Sequence, residues 1–339
     1  MKILFLDCSM GAAGDMLAGA LLELLPDKEE FLSEMNEAGI PGVVISAKLA
    51  EKCGIMGTKF VVKIDGIEEG EQCEHGHHHE HEHHHDHSHE HEHHHHDHSH
   101  GHEHHHHGSM HEIENIISNL KLPPDVKADA LEVYKLIARA ESKAHGVEVS
   151  EVHFHEVGTM DAIADITSVC LLMKKLAPSK VVASPVHTGY GKVHCAHGIL
   201  PVPAPATATI LKGIPSLAGN IEGELCTPTG AALLKHFVNE FAQMPAMRTE
   251  AIGYGMGTKD FAAANCLRAF LGKAEVGIDD DYKDEIYELS CNIDDMSGEE
   301  IAFAAERLFE TGALDVFTAP INMKKGRPGM LISILCREE

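Results

Sequence analysis

The chain has 339 residues, of which 43% are hydrophobic, and its formal net charge is −26 at pH 7. This length predicts two or three domains, and the hydrophobic content is sufficient for at least one large core. The acidic balance disfavours nucleic-acid binding, which needs basic patches to meet the phosphate backbone.

Nine cysteines are scattered along the chain and none forms a CxxC pair. This spacing argues against a disulfide framework and against a structural zinc ribbon. No stretch approaches the roughly 18 apolar residues of a membrane span. The apolar start of the chain is too short for a signal peptide. We therefore expect a cytoplasmic protein without a membrane partner.

The N-terminus predicts a strand over residues 2–6, a loop of small residues and a helix over 16–25 that Pro26 stops. Asp7 ends the strand and Asp15 opens the helix, so the two carboxylates are candidates for sharing a cation. The alternative is that Asp15 only complements the helix dipole. Phosphate binding by this loop is weakly supported, because the Lys-Ser/Thr pair of a P-loop is missing.

A second unit follows, with a helix predicted over 28–38 and strands over 43–50 and 59–65. After the segment described next, Pro123 and Pro124 open a helix that Gly146 ends. Its apolar stripe is predicted to face the core.

Residues 74–107 contain 22 histidines among 34 residues, together with Glu, Asp and Ser but no Lys or Arg. A purification tag fits poorly, because tags are terminal and uniform. Neutral imidazole is the commonest side-chain metal ligand, and a polyimidazole tract favours nickel, copper or zinc over magnesium or calcium. Because the tract lacks apolar residues, it predicts a disordered, nickel-binding insert over 74–108. The candidate ligands in it are His77, His78, His79, His83, His84, His85, His93, His94, His95, His96, His104, His105, His106 and His107.

The segment from Val152 to Asp165 has the densest chemistry outside the tract. On a strand, His153 and His155 would point the same way, and Glu156 follows them. Asp161 and Asp165 are four residues apart at the start of a predicted helix, so they share one face. These five residues are predicted to hold a divalent ion at a strand-to-helix corner.

A second histidine group contains His187, His194 and His197, with Cys195 between the last two. Nitrogen and sulfur donors so close together are candidate metal ligands. The alternative is a glycine-rich hairpin that carries incidental histidines.

Three further segments have structural interpretations. The proline-rich stretch 201–207 is predicted to be a rigid connection. Thr227 and Pro228 open a helix as its N-cap and first residue. The glycines of 253–257 predict a tight turn, with a strand over 266–271 after it.

The predicted fold class is α/β (α+β) for a main domain, 1–276, that carries the insert. An acidic linker over 277–284 and a smaller domain over 285–339 follow. The smaller domain predicts the order β-α-β-β, with a capping box at Ser297 and Glu300. That order is an incomplete ferredoxin-like pattern, which would still need a helix and a strand. Asp294, Asp295, Lys324, Lys325 and Arg327 lie at strand ends and would suit a metal-bound polyphosphate, unless they are only solvated loop charges.

With these residues placed, the chain resembles the nickel-insertion proteins of lactate racemase cofactor synthesis (the LarC family) along its whole length. The resemblance rests on LDCSMGAAGDM, the His-rich insert, VHFHEVGTMDAIADI, HTGYGKVHCAHG with PVPAPAT, CTPTGAALL, and IDDMSGE, GALDVF and MKKGRPG near the end.

The resemblance implies a nickel chelatase that places Ni²⁺ into pyridinium-3,5-bisthiocarboxylic acid mononucleotide. The product is a pincer with two Ni–S bonds and one Ni–C bond, which activates lactate racemase-type enzymes. The resemblance also implies dependence on CTP and on Mn²⁺ or Mg²⁺, with the nucleotide and its metal ion bound at Asp294, Asp295 and residues 324–327. A C-terminal segment, either separately encoded or fused through a frameshift, and a second copy of the chain in a homo-oligomer are expected as partners. The alternative is a nickel store that performs no chemistry.

Overall fold

In a computed structural model, residues 1–68, 108–152, 154, 159–195, 198–274 and 286–337 are described. The chain divides into two compact units, Met1–Glu275 and Val276–Glu339. The first unit is mixed α/β, and the predicted fold class is confirmed at this level. The histidine-rich tract and the linker over 277–284 lie outside the described residues.

The first unit contains seven described helices and twelve described strands. The helices are α1 (Gly14–Leu22), α2 (Lys28–Glu37), α3 (Met110–Asn119), α4 (Pro124–His145), α5 (Met160–Leu176), α6 (Pro205–Ile210) and α7 (Pro228–Phe237). The strands are β1 (Lys2–Asp7), β2 (Val43–Lys52), β3 (Ile55–Ile64), β4 (Ile67–Glu68), β5 (Lys180–Ala183), β6 (Val186–His187), β7 (Lys192–Cys195), β8 (Gly198–Pro201), β9 (Ser216–Leu217), β10 (Glu240–Phe241), β11 (Met247–Met256) and β12 (Cys266–Ala274).

The main sheet has the strand order β10-β5-β1-β12-β11-β3-β2, and β4 pairs with β3. Strand β1 is parallel to β5 and antiparallel to β12, so the sheet is mixed. Because side chains alternate along a strand, β1 presents Leu4 and Leu6 to one face and Ile3 and Phe5 to the other. Leu4 and Leu6 belong to the large core that includes the buried residues of α1, α4 and α5, whereas Ile3 and Phe5 pack in a small cluster of strand residues.

Helix boundaries follow the local signals. Helix α4 begins at Pro124 and ends before Gly146, whose φ of 68° is left-handed, as predicted. Thr227 caps α7, since its Oγ1 accepts a hydrogen bond of 3.2 Å from the backbone N–H of Gly230. Helix α1 ends at Leu22, earlier than the predicted stop at Pro26. The described helices include none long and apolar enough to cross a membrane.

The tight turn predicted at 253–257 is wrong, because Gly253 and Gly255 lie inside β11. The backbone of α1 packs directly on these two glycines. A Cβ atom on Gly255 would lie 1.8 Å from the carbonyl oxygen of Met16, and one on Gly253 would lie 2.0 Å from that of Ala20. The glycine alternation therefore allows a helix to approach a strand, which is a tertiary contact and not a turn signal.

The proline-rich connection predicted at 201–207 contains the start of a helix. The Val202–Pro203 peptide bond is cis, and Pro205 then occupies the first position of α6. Proline is tolerated there because the first backbone N–H groups of a helix have no partner within the helix.

The second unit contains β13 (Tyr287–Ile293), α8 (Gly298–Glu310), β14 (Asp315–Met323) and β15 (Arg327–Cys336). The predicted order β-α-β-β is confirmed. The three strands form an antiparallel sheet in the order β13-β15-β14. Ser297 and Glu300 form the predicted capping box at the start of α8. The ferredoxin-like assignment stays a prediction.

Candidate functional site

The first unit encloses a cavity of about 410 Å³ whose wall carries several carboxylates. We call it the acidic cavity. The segments around it are the start of α1, β3, the start of α5, the start of α7 and the loop after β11. Its acidic lining residues are Asp15, Glu68, Glu141, Asp161, Asp165 and Glu224. Sequence reasoning selected Asp15, Asp161 and Asp165 from these six.

Backbone contacts hold the start of α1 against the start of α7. Ala12 donates to the carbonyl of Leu225 at 3.1 Å, and Thr227 donates to that of Ala12 at 3.0 Å. Gly11 has a φ of 78°, and a Cβ there would lie 2.0 Å from the carbonyl oxygen of Leu225. The small residues of the loop after β1 therefore permit two segments far apart in sequence to pack backbone to backbone. They bring Asp15 and Thr227 to one cavity.

Asp15 is half-buried in the first turn of α1 and accepts a hydrogen bond of 2.8 Å from the N–H of Met16. Burial raises its pKa to about 6, although the Met16 N–H, the charge of Lys59 and a hydrogen bond from Thr258 favour the ionised form. The helix dipole alone would lower the pKa of a carboxyl at this position. Removal from water therefore dominates the environment of Asp15.

We expect Asp15→Asn to stabilise the fold at pH 8 and to have little effect near pH 4. The folded state ionises Asp15 only near pH 6, whereas the unfolded chain does so near 3.8. The loss of stability from ionisation therefore grows between about pH 3.8 and pH 6 and reaches about 3 kcal/mol at most above pH 6, and it vanishes at low pH, where both states are protonated. Urea unfolding of both proteins across this pH range measures the difference. An equal difference at pH 4 and pH 8 would contradict the explanation.

Asp161 and Asp165 lie in the first turns of α5 and both line the acidic cavity. The Oδ1 atom of Asp161 is buried and has no hydrogen-bond partner among the residues that the structure describes. Asp165 packs on Gly14, where a Cβ would lie 2.7 Å from its Oδ2. Beneath them, burial and the charges of both carboxylates raise the pKa of Tyr134 well above its ordinary value. The two carboxylates therefore concentrate negative charge in a poorly hydrated place.

Asp7 is not among the residues that line the acidic cavity. It pairs instead with Arg268, its partner across β1 and β12, whose Nε and Nη2 both donate to Oδ2. Burial alone would raise the pKa of Asp7, but hydrogen bonds from Arg268 and Ser9 lower it below the ordinary value. The structure therefore pairs Asp7 with a guanidinium, and Asp7 does not line the cavity that Asp15 lines.

A second cavity of about 440 Å³, which we call the side cavity, contains His145, His194 and Cys195 in its wall. It shares Glu141, Pro228, Glu224 and Lys259 with the acidic cavity, so the two adjoin. His187 lines neither cavity. The structure therefore brings His194 near the acidic cavity but leaves His187 apart.

Several predicted ligands lie outside the described residues: His153, His155, Glu156, His197 and the tract histidines. Phe154, between the first two, is buried and packs edge-on against Tyr134, with ring centroids 6.4 Å apart. Within the part of the chain that the structure describes, no three His, Cys, Asp or Glu side chains are grouped closely enough to hold a metal ion.

Sequence reasoning missed Lys59, Lys259, Glu224 and the pair Glu141–His145. The last two are four residues apart on α4, with a nitrogen-to-oxygen distance of 3.4 Å. Their helical spacing was a readable signal. The other three reach the cavity from distant segments, so no local pattern indicated them.

In the second unit, Asp294 and Arg327 approach each other, with Oδ2 and Nη1 3.8 Å apart. The β13–β15 pairing matches Ile293 with Met330, which places the end of β13 beside the start of β15. The exposed Asp295, Lys324 and Lys325 lie next to this pair in sequence. Acidic and basic side chains therefore gather at one end of this sheet.

A family model described as nickel insertion protein matches residues 4–339. The pyridinium-3,5-bisthiocarboxylic acid mononucleotide nickel insertion protein of Clostridium kluyveri is 42% identical over 340 residues, which cover 100% of this chain and 78% of that protein. The protein of the same name from Geobacillus kaustophilus is 37% identical and covers 99% of this chain and 77% of its own length. A putative nickel insertion protein of Dictyoglomus thermophilum is 36% identical, with 99% and 76% covered. No solved structure matches. The chain belongs to the nickel insertion protein family.

Proposed function

We propose that this chain inserts Ni²⁺ into pyridinium-3,5-bisthiocarboxylic acid mononucleotide and so forms a nickel pincer. The observation that carries the proposal is a match to relatives of that name along essentially the whole chain, at 42% and 37% identity. The acidic cavity supports it, because carboxylates attract a divalent cation and a cavity of about 410 Å³ is in the range of small-molecule sites.

The chemistry of the cavity suits the first stage of such a reaction. The carboxylates of Asp15, Asp161 and Asp165 give the cavity a negative charge that attracts Ni²⁺ and offsets its charge as it loses water. The thiocarboxylate sulfurs of the substrate are softer ligands and then displace the remaining water or a single carboxylate oxygen from the metal. We propose that metal capture and ligand exchange occur at this cavity, with His153 and His155 as further ligands.

Formation of the Ni–C bond breaks a ring C–H bond of the substrate. The electron pair of that bond forms the bond to nickel, and a base accepts the proton. The candidate bases are the carboxylates of the acidic cavity together with His153, His155 and Glu156. No external oxidant or reductant is needed, because nickel remains Ni(II).

We further propose that CTP with Mn²⁺ or Mg²⁺ acts through the second unit. Asp294 and Asp295 would hold the metal ion, and Lys324, Lys325 and Arg327 would hold phosphates. The proximity of Asp294 to Arg327 fits this arrangement, since a metal-bound triphosphate needs both signs of charge at one place. Such a nucleotide would supply a phosphoanhydride bond that can be cleaved, and its metal ion would neutralise part of the phosphate charge.

Purified chain, the thiolated mononucleotide, Ni²⁺ and CTP with Mn²⁺ test the function. We expect the absorption of the nickel pincer to appear, and the product to activate a lactate racemase-type apoenzyme. Absence of product with every component present, while an established relative forms it, would contradict the proposal.

The histidine tract favours a second candidate function, nickel storage and delivery. Deletion of residues 75–107 separates the two. With nickel in excess we expect the shortened chain to form product at a rate within about threefold of the full chain, because insertion uses the cavity and not the tract. At limiting nickel the shortened chain should be slower. A full chain that binds nickel but forms no product under the same conditions would instead favour storage.

Replacement of both His153 and His155 by alanine tests the predicted ligands. We expect product formation to fall by about 100-fold, because two imidazole ligands leave the insertion site. Nickel bound per chain at equilibrium should hardly change, since the tract supplies most of the binding capacity. Unchanged product formation would remove both histidines from the site. His111→Ala is the matched control, because His111 is an exposed residue of α3.

A further inference from the structure

The loop after β11, residues 257–265, borders both cavities through one lysine. Lys259 lines the acidic cavity and the side cavity. Its ammonium group has no acidic partner among the described residues. Lys59, the other lysine of the acidic cavity, pairs with Glu68 at 2.9 Å. A cation therefore remains available where the two cavities meet.

Lys259 is an exposed residue, but the loop that carries it is firmly held. Lys52, at the end of β2, donates to the carbonyl oxygens of Thr258 and Lys259 at 3.2 and 3.3 Å and to the carboxylate of Asp260. Its side chain is only 13% exposed. Three acceptors match the three N–H groups of an ammonium, which offsets the loss of water around it.

Asn265 holds the same loop from the opposite end. Its Nδ2 donates a hydrogen bond of 2.9 Å to the backbone carbonyl of Lys259. Its backbone carbonyl accepts a hydrogen bond of 2.9 Å from the N–H of Gly257. A Cβ on Gly257 would lie 2.5 Å from that Nδ2, so the glycine makes room for the amide. The carbonyl of Lys259 thus receives hydrogen bonds from the buried Asn265 and from the half-buried Lys52. This preorganises the loop before any ligand arrives.

The charges around Lys259 limit what it can bind. The acidic cavity carries Asp15, Asp161 and Asp165, which attract a metal ion and repel a phosphate. The side cavity has apolar walls at Val193, Leu200 and Pro205. A mononucleotide has an electron-poor ring that must meet the metal and a phosphate that needs a cation beside it. Glu141 and Glu224 line both cavities together with Lys259, so Lys259 is the cation that offsets their repulsion of a phosphate at this border.

We infer that Lys259, positioned by Lys52, binds the phosphate monoester of the mononucleotide, whose sugar occupies the side cavity while its ring enters the acidic cavity. This inference rests on the proposed function for the identity of the substrate. Lys52 is a positioning residue, since it touches the loop and not the ligand.

The test is calorimetric binding of the thiolated mononucleotide and of its dephosphorylated nucleoside, without nickel or CTP. For Lys259→Met we expect about 30-fold weaker binding of the mononucleotide, because one charge-assisted contact is lost. Nucleoside binding should stay within about twofold of wild type. Lys52→Met should also lower the ratio of nucleotide affinity to nucleoside affinity, but by a smaller factor than Lys259→Met. Lys28→Met, at an exposed position of α2 away from both cavities, is the control.

Equal weakening of nucleotide and nucleoside by Lys259→Met would overturn the inference, as would weaker binding of CTP with unchanged binding of the mononucleotide. Because the readout is binding, it is independent of turnover. If the wild-type chain binds the mononucleotide through Lys259 but forms no pincer, the inference stands and the proposed function fails.

Discussion

Replacement of Asp161 and Asp165 together by asparagine should reduce nickel insertion by about 100-fold or more. Asparagine keeps the shape of both side chains but removes the two charges that α5 presents to the acidic cavity. Among the residues that the structure describes, the buried Oδ1 of Asp161 has no hydrogen-bond partner, and asparagine removes the negative charge from that place. The variant should therefore be at least as stable as the wild-type chain while losing its reaction.

Single-turnover formation of the pincer chromophore measures the loss, and urea unfolding measures stability. Asp125→Asn is the control, because Asp125 is an exposed carboxylate that pairs with Lys174 away from the cavity. Nickel binding at equilibrium should be unchanged, since the histidine tract is intact. Retention of activity within about threefold would show that α5 contributes no essential charge.

Gly255→Ala should destabilise the first unit by about 3 kcal/mol or more. The new Cβ would lie 1.8 Å from the carbonyl oxygen of Met16 and 2.6 Å from the backbone nitrogen of Ala20. Both atoms belong to the backbone of α1, so no side-chain rotation can relieve the contact. Helix α1 would have to move away from β11 and would carry Asp15 with it. Insertion should therefore decline even where the variant remains folded.

The midpoint of urea unfolding measures this effect. Gly298→Ala is the matched substitution, since a Cβ on Gly298 meets no atom within 4 Å. That variant should unfold near the wild-type midpoint. If the two variants unfold at the same urea concentration, close packing of α1 on the glycines of β11 is not what holds the helix in place.

Local signals predicted the elements well wherever the cause of an element is local. The capping box at Ser297 and Glu300, the proline that starts α4 and the glycine that ends it each satisfy backbone groups within a few residues. The spacing of Asp161 and Asp165 likewise placed both on one face of α5, and both line the same cavity.

Where a residue acts through a distant partner, the sequence carried no signal. Asp7 meets Arg268 because β1 pairs with β12 in one particular register, across 261 positions of chain. The alternating glycines Gly253 and Gly255 predict a turn from the sequence alone, and only the packing of α1 against them shows why glycine is needed there. Lys259 and Lys52 were not selected, because only the fold brings the end of β2 to the loop after β11.

The histidine tract is the most conspicuous feature of the sequence, but the proposed chemistry belongs to a few carboxylates elsewhere. Many similar imidazoles bind nickel at exchangeable sites, whereas insertion needs one geometry that brings metal and substrate together. We propose on this basis that the tract supplies nickel and that the reaction takes place at the acidic cavity.

Single-turnover insertion by the chain that lacks residues 75–107, at saturating Ni²⁺, tests this division most directly. The shortened chain with an intact acidic cavity should form the pincer, and the same chain with Asp161→Asn and Asp165→Asn should form almost none. Equal product from both would contradict the account, because the reaction would then proceed without the charges of the acidic cavity.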